Sequence, residues 1–197
     1  MPSPPARPRL TREELEAAAG KAVPDLVAPD LRVLFCGINP GLWSGALERH
    51  FAGPGNRLWP VLHAAGLTDR LLSPFEPEEM LARGLGITNL VNRTTRTAAE
   101  LRPDELRAGG ERLEATCRRW RPAIVAVLGM GAFRTAFRRP RATLGEQPEP
   151  VGGVRAWLLP NPSGAQAYYQ MPELVAAFTE LRRAAPPPGG TGSPAGA

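Results

Sequence analysis

Four short apolar runs, Leu31–Gly37, Gly86–Val91, Ala123–Leu128 and Val154–Leu159, alternate with stretches of helical spacing. Runs of this length, apolar at successive positions, suit strands covered on both faces. Between them, Asn56–Ala65 places Leu58, Leu62 and Ala65 on one helical face. Pro103–Trp120 does the same with Leu106, Leu113, Cys117 and Trp120. Gly131–Phe137 reads as a short helix, and Pro172–Arg183 as a helix with Leu174, Val175, Phe178 and Leu181 inward. Pro172 suits its first turn. An earlier helix, Thr11–Ala19, opens with Thr11 and Glu14 in capping-box spacing. Strands alternating with helices predict an α/β fold, a three-layer α/β/α sandwich around a mainly parallel central sheet. Ligands on such sheets bind beyond the carboxyl ends of the strands.

With 197 residues, one domain over 11–184 is expected. Residues 1–10 and the Ala/Pro/Gly-rich stretch 185–197 read as disordered tails that cannot bury a core. Lys21 is the only lysine, and the net charge of +5 permits phosphate binding without requiring it. Cys36 and Cys117 read as small core residues; two cysteines and two histidines are too few for a four-thiolate or His-rich metal centre. Neither a metal nor a cofactor is expected. No stretch approaches the ~20 apolar residues of a membrane span. A cytoplasmic, reduced, monomeric protein is the expectation.

The unusual residues fall at the strand ends. Gly37-Ile38-Asn39-Pro40-Gly41 forces a tight turn that would hold Asn39 at the rim. Asn carries both donor and acceptor and can orient a water or read a base edge; the alternative is a plain strand-ending turn. In His50-Phe51-Ala52-Gly53-Pro54-Gly55-Asn56-Arg57, Phe51 could stack on a planar base and Arg57 could meet a phosphate. Alternatively, Phe51 plugs the core and Asn56 caps the next helix. In Gly86–Arg96, Asn89 is polar within an apolar strand and needs a partner. Arg93 and Arg96 are further candidate phosphate contacts, or simply solvated charges. Pro160-Asn161-Pro162-Ser163-Gly164-Ala165-Gln166 is a loop of small residues through which a backbone could approach another molecule. Gly129-Met130-Gly131 begins like a dinucleotide fingerprint, but Arg134 stands at the third glycine position.

Taken in order, these segments resemble the mismatch-specific uracil-DNA glycosylase/thymine-DNA glycosylase family of the uracil-DNA glycosylase superfamily. The likeness runs from about Leu31 to Leu181. It is carried by Gly37-Ile38-Asn39-Pro40-Gly41-Leu42, Phe51-Ala52-Gly53-Pro54-Gly55-Asn56-Arg57-Leu58-Trp59, Gly86-Ile87-Thr88-Asn89 with Arg93-Thr94-Thr95, and Asn161-Pro162-Ser163-Gly164.

The resemblance implies a monofunctional DNA glycosylase that flips a base and hydrolyses its N-glycosidic bond, the first step of base excision repair. Uracil is the implied base, with thymine and etheno-adducts as further candidates. Asn39 would position the attacking water. Ile38, Gly41, Ser44, Phe51 and Asn89 would line the base pocket. Asn161, Pro162, Ser163, Gly164, Ala165 and Gln166 would enter the DNA minor groove. The implied partner is double-stranded DNA with a mismatched or damaged base, with single-stranded DNA as a second candidate. The efficient uracil-specific branch carries Asp and His where Asn39 and Asn161 stand, which implies slower and less selective catalysis. Trp43 occupies a flank where a small residue is usual, Ala165 a position usually held by a bulky wedge, and Ala167 one often held by Arg. Two other readings remain open at this point: a non-catalytic nucleic-acid-binding module with a glycosylase-like pocket, and a Rossmann-type nucleotide-dependent enzyme resting on Gly129 and Gly131.

Overall fold

A computed structural model describes residues 7–164 and 168–188 of the chain. Five strands, β1 (Val33–Gly37), β2 (Leu85–Asn89), β3 (Ile124–Leu128), β4 (Gly145–Glu146) and β5 (Arg155–Leu159), form one sheet in the order β2-β1-β3-β5-β4. The β1/β2, β1/β3 and β3/β5 pairs are parallel, and only the short edge strand β4 runs antiparallel.

Side-chain alternation along the strands builds two cores. On one face Val33, Phe35, Ala126 and Leu159 pack against α3 (Leu58–Ala64), α4 (Pro77–Ala82) and α7 (Met171–Ala184), through Leu62, Met80 and Phe178. On the other, Leu34, Cys36, Val127 and Leu158 meet α5 (Pro103–Trp120) and α6 (Met130–Ala136), through Leu113, Cys117 and Phe133. The result is the expected three-layer sandwich with a mainly parallel sheet. Central strands buried on both faces explain the near-continuous apolar runs. Cys36 and Cys117 are buried, unpaired core residues, and burial pushes the Cys117 thiol up to about 12.

Several boundaries differ from expectation. The N-terminal helix α1 (Arg12–Glu16) has the Thr11–Glu14 capping box but stops well short of Ala19. From Gly20 the backbone pairs instead with Thr94, and Leu26 bridges Ile87 beside β2. Strand β2 ends at Asn89, after which Leu90 and Val91 donate N–H groups to the Gly37 and Ile38 carbonyls. Trp120 sits outside both cores under the Arg119 guanidinium, 5.0 Å from its ring centre. Helix α2 (Leu42–Leu47), α4 and β4 were not expected. At the C-terminus, Ala185 packs on the core and the Pro186 carbonyl accepts from Arg32, so ordered contacts extend past the expected boundary at 184. The outer parts of both expected tails, 1–6 and 189–197, lie outside the described residues.

Candidate active site

The loops following β1, β2 and β5 meet at one end of the sheet around a cavity of about 650 Å3, within the roughly 300–1,000 Å3 typical of small-molecule sites. Ile38, Asn39, Gly41, Ser44, Phe51, Asn89, Asn161, Ser163 and Gly164 all line it. Pro162 is buried behind that wall, and its carbonyl accepts the Arg57 backbone N–H. Ala165 and Gln166 lie outside the described residues.

The loops after β1 and β2 are clamped together. Thr95 N–H donates to the Pro40 carbonyl, and Gly41 bridges Thr95. Asn39 Nδ2 then donates to the Arg93 carbonyl at 3.1 Å and to Thr95 Oγ1 at 2.6 Å. Because Thr95 Oγ1 gives its own proton to the Thr97 carbonyl at 2.8 Å, it must accept from Asn39. This network fixes the orientation of the amide: the nitrogen is committed to the protein, and Oδ1 is the acceptor left to a ligand or water.

Asn89 is held differently. His50 Nε2 lies 2.8 Å from the Pro24 carbonyl, and His50 Nδ1 lies 3.1 Å from Asn89 Nδ2. Burial lowers the pKa of His50 from its ordinary value, favouring the neutral ring. On the backbone side, Arg112 donates to the Asn89 carbonyl and pairs with Asp25 at 3.0 Å. Asp25 also accepts from Thr88 Oγ1 at 2.7 Å. Asn89 is thus tied to His50 through its side-chain nitrogen and to Arg112 through its carbonyl.

Phe51 adopts a left-handed backbone (φ 52°), uncommon for an aromatic residue. Its carbonyl is held by Trp59 Nε1 at 3.1 Å, and Ser44 Oγ accepts the neighbouring Ala52 N–H at 3.2 Å. A β-carbon on Gly37 would overlap Asn89 Oδ1 and stand 3.0 Å from Phe51 Cζ. Only glycine lets these two cavity residues close over the end of β1.

A family model, Uracil DNA glycosylase superfamily, matches residues 24–183. The chain belongs to this superfamily. Among solved structures, the fold is similar to the solution NMR structure of a Methanosarcina acetivorans protein provisionally assigned as a uracil DNA glycosylase. The TM-score is 0.52 at 17% identity, covering 83% of this chain and 98% of that one.

Within the superfamily frame, two arginines read differently from the sequence expectation. Arg57 was a candidate phosphate contact. Instead, its guanidinium donates to the Tyr169 carbonyl at 2.7 Å and the Ser163 carbonyl at 2.9 Å, tying both limbs of the loop after β5. Arg93 pairs with Glu105 at 2.9 Å, whereas Arg96 lies on the cavity wall with a 3.9 Å contact to Glu16. Gly129 has φ 131° and abuts Ile38, where a β-carbon would stand 3.0 Å from Ile38 Cδ1. The turn thus accounts for this glycine without a nucleotide. His50, Thr95 and Trp43 also line the cavity. None was chosen as a site residue from sequence, although His50 and Thr95 stood inside the motifs.

Proposed function

We propose that this superfamily member is a monofunctional DNA glycosylase that extrudes uracil from mismatched DNA and hydrolyses its N-glycosidic bond, nearest in kind to the mismatch-specific uracil/thymine branch. The observation that carries the reading is the Asn39 amide, whose nitrogen is committed to Arg93 and Thr95 and whose Oδ1 remains to accept from a water. The water oxygen attacks C1′ as the bond from C1′ to the base nitrogen breaks. The bonding electrons leave with the base, and the water proton is released to solvent or to the departing anion. The sugar carries cationic character, so orientation and electrostatics suffice and a strong base is not needed.

Phe51 supplies an aromatic face for the flipped base, and Asn89 a polar edge beside it. The only lysine, Lys21, is absent from the residues lining the cavity. This favours water over an amine as nucleophile, and hence no strand cleavage. Flipping is cheaper at a mismatch, so release from U:G and from single-stranded uracil should exceed release from U:A. The test is single-turnover incubation with labelled U:G, U:A and single-stranded substrates, followed by alkali. Strand breaks only after alkali support the monofunctional enzyme. Retarded DNA without base release supports a binding module.

A further inference from the structure

Removing a base from the stack leaves a void, and proteins that hold it open insert apolar or aromatic bulk. The sequence after Gly164 reads Ala-Gln-Ala at 165–167 and offers none. Before α7 begins, the bulky candidates are Tyr168 and Tyr169. Tyr169 is half-buried against the core, and its carbonyl holds Arg57. Tyr168 is 83% exposed.

A single exposed hydrophobic residue is ordinary on a protein surface. What separates Tyr168 is its placement. It stands on the loop whose other limb, Ser163 and Gly164, lines the cavity. The backbone is anchored at Ser163 and from Tyr169 onward. Arg57 binds the carbonyls of Ser163 and Tyr169, and Gln170 N–H donates to Glu173 at 3.0 Å to start α7. Gly164 rests on Gly55, where a β-carbon would meet the Gly55 carbonyl oxygen at 2.5 Å. The Tyr168 ring meets Tyr169 edge-on, with centroids 5.0 Å apart at 74°, and its exposure leaves ring surface open for stacking.

Resting on the glycosylase reading, we infer that Tyr168 is the aromatic wedge of this protein, stacking into the duplex at the site the flipped base vacates. Arg57 is its positioning residue. The experiment compares wild type, Tyr168→Ala and Tyr168→Phe in single-turnover uracil release from U:A, U:G and single-stranded DNA. Each protein is also titrated with a duplex containing a tetrahydrofuran abasic site. Tyr168→Ala should lower the ratio of U:A to single-strand rates about ten-fold and weaken abasic-duplex binding by a similar factor, the usual scale for loss of one base–aromatic stack. Tyr168→Phe should behave as wild type, because stacking needs no hydroxyl. An unchanged ratio in Tyr168→Ala, or equal loss on single strands, would overturn the inference. If wild type releases no uracil from any substrate, the hydrolase reading fails instead. Abasic-duplex binding then decides the wedge: weakening in the Ala variant alone supports it, and equal affinities in all three proteins reject it.

Discussion

His50 joins the Pro24 carbonyl to the Asn89 side-chain amide, with Nε2 at 2.8 Å from the first and Nδ1 at 3.1 Å from the second. A carbonyl only accepts, so Nε2 carries the proton and Nδ1 accepts from Asn89. Protonating Nδ1 would set donor against donor and force the Asn89 amide to turn. Burial favours the neutral ring, placing the folded pKa below the ordinary value near ~6.5.

The stability this contributes is present above the unfolded pKa and is lost as pH falls through the folded value. Base release from single-stranded uracil should therefore show an acid limb with a midpoint below that of an ordinary histidine. His50→Gln should lack this limb, and its urea midpoint should fall less than wild type between pH 7.5 and pH 5.5. An identical acid limb in the variant would assign the titration to another group.

Asn39→Ala removes an amide whose oxygen is left for water. Single-turnover release should slow by at least ~100-fold, the scale for losing a positioning group. Affinity for abasic product should change little. Near-normal release rates would exclude Asn39 from the chemistry.

A different residue holds the far end of the sheet. The buried Arg32 guanidinium donates to the carbonyls of Arg83 at 2.9 Å, Leu67 at 2.8 Å and Pro186 at 3.3 Å. Arg32→Met would strand those acceptors at a cost of about 3 kcal/mol, which corresponds to a melting temperature roughly 10 °C lower. The site lies elsewhere, so release at 25 °C should match wild type. A melting shift under a few degrees would show that water replaces the guanidinium.

The sheet and its longest helices were legible because their burial is periodic. Leu34 and Cys36 face one core while Val33 and Phe35 face the other, and α5 has the expected bounds. Helices α2 and α4 were not, since each has six residues and neither Gly41 nor Glu76 gives a side-chain cap. The motifs pointed to Asn39 and Asn89, but not to what holds them. Asn39 depends on residues 54 and 56 positions away, and Asn89 on a histidine 39 positions away. Arg57 read as a phosphate ligand because sequence shows its charge, not the carbonyls it meets 106 and 112 residues later.

Gly37 tests whether the closure of Phe51 and Asn89 over β1 matters for catalysis. Its β-carbon would overlap Asn89 Oδ1 and crowd the Phe51 ring. Asn89 has little room to retreat, since His50 holds its side chain and Arg112 its carbonyl. Overpacking of this kind costs about 1–3 kcal/mol, partly as displacement of the two residues proposed to face the base. Gly37→Ala should remain folded, with a modest drop in melting temperature, but release uracil at least ~10-fold more slowly, consistent with the sensitivity of catalysis to small displacements. Single-stranded uracil should be affected as strongly as U:A, because the fault lies in the pocket and not in opening the duplex. That pattern is opposite to the one expected of Tyr168→Ala, so measuring both variants on the same substrates separates pocket from wedge. A Gly37→Ala enzyme with full single-strand activity would show that the close approach of Phe51 and Asn89 to this glycine is packing alone.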